Sequence, residues 1–377
     1  MTDHKDEELL NISLNYTSTD INDDKTNPYC INTNKIFDIK SISTLSINND
    51  DTFLINNTII FYKVRTIANG SYGKVNAYKN NNDEYIAIKS SISNDHEQLN
   101  DEYNILQYLI EHNICKNVYV PSKSFKINNK IYIIMEYMSG TLGEYVTHFY
   151  NTPNLKYYNI LPIILEICLS IVKLIYCLAH HKLYYTDLKL NNILIRCDSN
   201  VAKHLNITKI YLALCDLGSI VNYNNIEKQQ LWSTTFPPPN YFQFYPSKSH
   251  LEIDIIPNRD NYLKQFDTQD LSWIVGVNLA IILGLNEKLL VFSNYKFTYK
   301  QITESDIFYN LITNDLLKFT LESGISSEIY LLYKIQYSLL QLTIMQSLKL
   351  NKKNRIHLGK LYSNLLKIKR MTVKDLL

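Results

Sequence analysis

The stretch Tyr184-Tyr185-Thr186-Asp187-Leu188-Lys189-Leu190-Asn191-Asn192-Ile193-Leu194-Ile195 sets three polar side chains at fixed intervals just ahead of an apolar run. Asp187 is a candidate proton acceptor, Lys189 a cation two positions on, and Asn192 an amide able to bind a metal ion. A second carboxylate follows in Leu214-Cys215-Asp216-Leu217-Gly218, again where an apolar strand meets a glycine turn. Such an acid can hold a divalent cation against phosphate oxygens. Taken singly, each loop also fits an acid that only satisfies its own turn. Their order and spacing together point to chemistry on a phosphate.

Upstream, Ile67-Ala68-Asn69-Gly70-Ser71-Tyr72-Gly73-Lys74-Val75 lies between two strand-like runs, not between a strand and a helix. That setting favours a hairpin covering phosphates, in which Gly70 and Gly73 let backbone amides come close, over a dinucleotide-binding turn. By itself a G-x-x-G hairpin is an ordinary turn, and the residues after it give it meaning. Fourteen positions beyond Val75 the next run ends in Ala87-Ile88-Lys89. A lysine inside a strand is costly unless it meets an anion, and phosphates with a helix carboxylate supply one. Glu102 is the preferred carboxylate and Glu97 its competitor, because loop length alone leaves the register open. Ile133-Ile134-Met135-Glu136-Tyr137-Met138-Ser139-Gly140 then ends the strand-rich part; backbone groups of Glu136 and Met138 can bond a planar heterocycle, with Met135 lining its back.

The elements that must position these groups are legible from periodicity. IIFYKVRTIA, KVNAYK, EYIAIK and KIYIIMEYM read as strands of one antiparallel sheet, with turns at Asn69-Gly70 and Asn80 to Asp83. Between the third and fourth, Glu97 to Glu111 carries Leu99, Tyr103, Leu106 and Ile110 at helical spacing. After Met138 the chain turns helical: Ile160 to His181, with Leu161, Leu165, Leu169, Val172 and Tyr176 on one face, then Trp273 to Leu285 and Ile325 to Leu350. Residues 1–25 hold seven acids and two lysines without an apolar period, so the N-terminus reads as an acidic, disordered tail, taken to extend to residue 55.

Composition narrows the classes. The 377 residues carry 38 Lys and Arg against 36 Asp and Glu, a net charge of +2, which gives no chain-wide pull toward nucleic acid or membrane. Nine glycines are few against the roughly 7% of average proteins, so each one kept is informative. The six cysteines form no C-x-x-C pair and have no histidine at zinc-like spacing, which predicts free thiols in a reducing compartment. The N-terminus lacks an apolar signal core, and Ile160 to Ala179 is broken by Glu166 and Lys173, so a soluble intracellular protein without membrane spans is expected.

Over residues 56–370 the chain resembles a eukaryotic-type protein kinase. The family's Gly-rich loop, V-A-I-K, H-R-D-L-K-x-x-N, D-F-G and A-P-E motifs are matched in order by A-x-G-x-x-G-x-V, I-A-I-K, Y-T-D-L-K-x-x-N, D-L-G and P-P-N. The resemblance implies a bilobal α+β fold: a small antiparallel β-sheet lobe over 56–137, a larger mainly helical lobe over 138–370, and a short end at 371–377. It implies ATP and Mg2+ in the cleft, nucleotide contacts from Ile67, Ala68, Gly70, Ser71, Tyr72, Gly73, Val75, Glu136 and Met138, and Lys89 on the α- and β-phosphates paired with Glu102. Asp187 would be the catalytic base, Lys189 a partner of the γ-phosphate, and Asn192 and Asp216 the metal ligands. Lys189 resembles the serine/threonine subset, which makes a protein Ser or Thr the expected substrate; nothing in the sequence points to DNA or RNA, and no membrane partner is expected. The diverged motifs and AT-biased composition are similar to those of kinases from large DNA viruses or AT-rich protists.

The departures concern scaffold and regulation. Ala68 replaces the first loop glycine, and its methyl group can crowd a nucleotide. Tyr185 and Thr186 stand where the family has His and Arg, which removes the cation that pairs with an activation-loop phosphate. Asn240 stands where a Glu would pair with Arg355; either it keeps a neutral hydrogen bond or the register slips by a residue. Asp270 to Gly276 resembles a family helix start with one extra residue, and Cys197 to Thr208 reads as an insertion. Lys349 to Arg370 holds eight Lys and Arg and no acid, either a patch for an acidic partner or the solvated face of a helix packing Leu358, Leu361 and Leu365 inward. Since Lys89, Asp187, Asn192 and Asp216 all persist, an active enzyme is favoured over a pseudokinase scaffold. The Leu188-Lys189 pair and the long segment after Asp216 disfavour a small-molecule kinase.

Overall fold

A computed structural model describes residues 30–31, 35–49, 52–70, 73–91, 97–151, 160–198, 210–222, 238, 266–284 and 326–376. After a short strand β1 (Cys30–Ile31), the β-branched runs build one antiparallel sheet from β2 (Leu45–Asn49), β3 (Thr52–Ile55), β4 (Ile59–Gly70), β5 (Gly73–Asn80), β6 (Tyr85–Ser90), β7 (Ser122–Ile127) and β8 (Lys130–Glu136). Its strand order is β2-β3-β4-β5-β6-β8-β7. Helix α1 (Glu97–Glu111) follows β6 and packs against β8. Alternation puts Phe53, Ile55, Phe61, Tyr78, Ile86, Ile88 and Ile134 into one apolar cluster. Arg65 spans from β4 to the Tyr137 hydroxyl at 3.0 Å, where the sheet leads into the helical part.

The expected tail boundary at residue 55 is corrected by this sheet. Phe37, Ile39 and Ile42 are buried in the small-lobe cluster, and the Phe37 ring meets Phe61 edge-on at 5.2 Å. The Asn56 side chain binds this segment, accepting from the Ser43 N–H at 2.6 Å and donating to the Ser41 carbonyl at 2.9 Å. Residues 35–55 thus belong to the lobe. Their apolar residues are too sparse to show a period and are buried by strands later in the chain. The acidic residues 1–25 lie outside the described residues.

The larger part is helical: α2 (Leu142–Asn151), α3 (Ile160–His180), α4 (Thr268–Ile282), α5 (Ser327–Ser347) and α6 (Leu358–Arg370). The short strands β9 (Gly140–Thr141), β10 (Leu183–Tyr185), β11 (Ile193–Asp198), β12 (Ile210–Leu214) and β13 (Ile220–Asn222) accompany them. β11 pairs with β12, β9 and, in parallel, with β1, while β10 pairs with β13. Helix α3 is long and apolar enough to cross a bilayer by length and composition, yet most of it lies buried at the centre of the core. Tyr176, expected on its buried face, is instead half-exposed and stacks on Tyr362 of α6, with ring centroids 5.7 Å apart.

Helix α4 starts earlier than expected. Asp267 caps it in a reciprocal capping box with Asp270. Gly276 therefore lies mid-helix, where α4 crosses α5: a methyl group there would stand 1.9 Å from the Ser347 hydroxyl. Leu358, Leu361, Leu365 and Ile368 of α6 face inward, and Lys369 pairs with Glu166 of α3. The expectation of free thiols is also corrected: Cys115, after α1, and Cys177, in α3, form a disulfide across 62 positions. No spacing rule could have paired them, because the fold alone brings them together. Cys168 and Cys215 are free.

Candidate active site

The β4–β5 hairpin places Ala68 opposite Val75, Asn69 opposite Lys74 and Gly70 opposite Gly73. Register breaks between Lys63 and Arg65 and between Thr66 and Ala68 bend the ribbon. Ile67 and Ala68 are exposed, and Ser71 and Tyr72 at the tip lie outside the described residues. Gly73 is needed for close approach, since a β-carbon would sit 3.0 Å from the Ser90 carbonyl and 3.5 Å from Lys89 Cε. Val75 lies directly opposite Lys89, which puts the two side chains side by side on one face of the sheet.

Lys89 is on central strand β6, flanked by Val75 and Ile133. Its ammonium forms an ion pair with Glu102 of α1, each side chain nearly buried. Glu102, preferred over Glu97 from the sequence, is the carboxylate that meets Lys89. Burial alone would lower the Lys89 pKa, but the carboxylates of Glu102 and Asp216 outweigh it and hold it above its ordinary value.

The 186–192 segment wraps around Asp187. One carboxylate oxygen, Oδ2, accepts from Lys189 Nζ and from Asn192 Nδ2, both at 2.9 Å. Asn192 Nδ2 also donates to the Asp187 carbonyl at 2.9 Å, fixing the backbone beneath the acid. The other oxygen, Oδ1, is buried and has no hydrogen-bond partner among the described residues. Such a buried acceptor has room in its hydrogen-bonding capacity for a donor.

Asp216 follows β12 in left-handed backbone, φ 56° and ψ 52°. Burial raises the Asp216 pKa, and Lys89 pulls against that rise. Two loops are sewn together here. Tyr185 Oη donates to the Cys215 carbonyl at 2.7 Å, and Thr186 Oγ1 donates to the Ser219 carbonyl at 3.0 Å. The Cys215 N–H donates to the Asn192 carbonyl at 3.0 Å. Tyr185 and Thr186 thus grip the Asp216 turn on both sides, and burial pushes the Tyr185 phenol well above its usual pKa. Burial also pushes the Cys215 thiol up to about 12, keeping it protonated beside the acids.

At the other wall, the Glu136 N–H donates to the Pro121 carbonyl at 3.0 Å and its carboxylate pairs with Arg196 at 2.9 Å. Met138 is buried against Val120 and Ala213. Two supporting residues escaped the sequence reading. Asn278, fully buried in α4, donates to the Leu188 carbonyl at 3.0 Å and so braces the Asp187 loop. Its signal was an amide in the otherwise apolar run Val277 to Ile282. Arg196 was unremarked because only the fold sets β11 beside Glu136.

Among known families, the model for the protein kinase domain matches residues 61–356. The chain belongs to the protein kinase family. No curated protein matches it. The kinase match begins after β3 and ends before α6, so the sheet's first two strands and the last helix lie beyond it. In this kinase Arg355 bonds to Asp270 at 3.4 Å, stands 5.3 Å over the Trp273 ring and donates to the Lys349 carbonyl at 2.7 Å. Lys352 joins Asp270 at 2.6 Å. Asn240, the expected partner of Arg355, and most of the segment after Asn222 lie outside the described residues; among the described residues Asp270 is an acid that meets Arg355.

Proposed function

We propose that this protein kinase transfers the γ-phosphoryl group of ATP to a serine or threonine hydroxyl of a protein, with Asp187 as catalytic base. The observation carrying this reading is the asymmetry of Asp187: one oxygen is held by Lys189 and Asn192, while the other is buried and open. A substrate hydroxyl donating to Oδ1 would be oriented for attack, and the carboxylate takes its proton as the bond to phosphorus forms and that to ADP breaks. Lys89, pinned by Glu102, suits the α- and β-phosphates, and Lys189 the γ-phosphate.

The residues fit a nucleotide and a divalent cation. The hairpin residues Ile67, Ala68, Gly70, Ser71, Tyr72, Gly73 and Val75 would cover the phosphates, with backbone groups of Glu136 and Met138 toward the base. Because the Glu136 N–H is already engaged by Pro121, the carbonyl of Glu136 and the backbone of Met138 are the groups to consider. Asp216 and Asn192 would hold Mg2+, which supplies charge neutralisation on the transferring phosphate. Serine/threonine preference rests on Lys189.

The test is labelling of the purified chain and of casein with radioactive ATP, followed by phosphoamino-acid analysis. Asp187→Asn should lower incorporation at least about 100-fold, the scale of general-base catalysis; equal labelling by wild type and variant would sink the assignment. A scaffold role is motivated by Ala68, Thr186 and Asn240. It takes over if ATP with Mg2+ gives neither labelling nor a rise in melting temperature.

A further inference from the structure

Away from the cleft, one group of thiol and imidazole donors converges among the described residues. The sulfurs of Cys115 and Cys177 and a ring nitrogen of His181 all lie within 4.8 Å of one another. We propose that these three side chains form a second site, for a soft divalent cation of the zinc type, which replaces the Cys115–Cys177 disulfide when that bond is reduced. The inference does not depend on the assigned phosphoryl-transfer activity.

The chain builds the site from two directions. Cys177 lies in the last turn of α3 and His181 in the turn directly after it, which brings its ring back to the cysteine. The end is held by the His181 N–H donating to the Leu178 carbonyl at 3.0 Å. Cys115 comes from the turn after α1, in left-handed backbone at φ 48°, and its carbonyl accepts from the Val118 N–H at 2.8 Å. The two cysteine α-carbons are 5.9 Å apart, close enough for either a disulfide or two thiolates on one ion. Both sulfurs are partly buried and the imidazole is exposed, which leaves a side open to the ion and to a water as fourth ligand. Two thiolates and one imidazole are a donor set that suits tetrahedral zinc.

The chemistry balances with a thiol reductant such as glutathione. Two reductant thiols give two electrons and two protons to the disulfide, leaving the Cys115 and Cys177 thiols and one reductant disulfide. The cation then displaces the two thiol protons and takes the lone pair of neutral His181. Oxidised or metal-loaded, the site ties the turn after α1 to α3. The same turn reaches the Asp216 strand, since the Val118 carbonyl accepts from the Leu214 N–H at 2.7 Å. Only the reduced, metal-free state would lack the tie.

The experiment titrates Co2+ into the full chain, reduced with a phosphine under anaerobic conditions. Wild type should bind one equivalent with a thiolate-to-cobalt charge-transfer band in the near ultraviolet, displaced by Zn2+, while unreduced protein shows no band. Cys115→Ser and Cys177→Ser should abolish the band. His181→Ala, at an exposed position that spares the fold, should weaken Co2+ binding at least about tenfold, since even outer-shell partners of a metal ligand contribute that much. No band in reduced wild type, a band surviving in Cys115→Ser, or unchanged affinity in His181→Ala would each overturn the proposal. Thermal melts of each variant separate loss of the site from loss of the fold.

Discussion

Tyr185 and Thr186 occupy positions where the kinase resemblance places a His and an Arg, and their hydrogen bonds show what the exchange achieves. Each donates a hydroxyl to a carbonyl flanking the Asp216 turn, so the turn is held from within the site. Thr186 offers no cation to a phosphate on the segment after Asn222. The expected outcome is that phosphatase treatment leaves the rate within about twofold, whereas Thr186→Val lowers kcat several-fold, the worth of about 1 kcal/mol for one hydrogen bond. Thr186→Ser should restore it, and a strict need for prior phosphorylation would refute this view. Lys89 gives a second residue-scale prediction. Lys89→Met leaves Glu102 buried without its cation, a change worth about 3 to 5 kcal/mol in buried pairs. The Lys89 pKa lies above the ordinary lysine value of 10.5 in the fold. Its contribution is therefore complete below that value and is lost as pH rises through the higher folded one. Melting temperatures of wild type and variant should differ by a constant amount at neutral pH and draw together in strong alkali. Sequence spacing placed Lys89, because a lysine in a central strand demands an anion, and preferred Glu102 with Glu97 as its competitor; the pair itself needed the rotation of α1.

Helix α4 shows how elements support the site from a distance. Its buried face carries Asn278 to the Leu188 carbonyl, next to Asp187, while Gly276 lets α5 approach. Asn278→Leu should cost about 1 to 3 kcal/mol, as the Leu188 carbonyl loses a buried donor, and should lower kcat more than it raises the KM for ATP. An unchanged kcat per folded molecule, with only the melting temperature lowered, would assign Asn278 to general stability instead. Gly276→Ala forces the Ser347 hydroxyl from its 2.5 Å bond to the Ile344 carbonyl and should cost about 1 to 3 kcal/mol by overpacking. The helix itself was legible, as were α1, α3 and the four strands, because long apolar periods survive in any tertiary setting. The pairing of Arg355 was not: a charge that is fully buried can choose any acid the fold brings near, and here Asp270, in the first turn of α4, lies closer in space than a linear motif could reveal.

At the scale of the whole molecule, residues before the matched domain complete the small lobe. The sequence suggested a boundary near residue 55, because Phe37, Ile39 and Ile42 are separated by polar residues and show neither a helical nor a strand period. Their burial comes from Phe61, Tyr85 and Lys123, residues far along the chain: Phe61 by ring contact, Tyr85 by accepting the Phe37 N–H at 3.3 Å, and Lys123 by donating to the Lys40 carbonyl at 3.0 Å. Full burial of one such side chain is worth about 1.5 to 3 kcal/mol. Losing Phe37, Ile39, Ile42, Phe53 and Ile55 together removes on the order of 10 kcal/mol, comparable with the roughly 5 to 15 kcal/mol that separates a folded domain from its unfolded chain. A chain beginning at Asn56 should therefore fail to fold or melt far below the full-length protein, although it keeps the matched domain intact. Ile39→Ala in the full chain, a milder change, should cost about 2 to 5 kcal/mol. Equal melting temperatures for the truncated and full-length proteins would return residues 35–55 to the status of a dispensable tail.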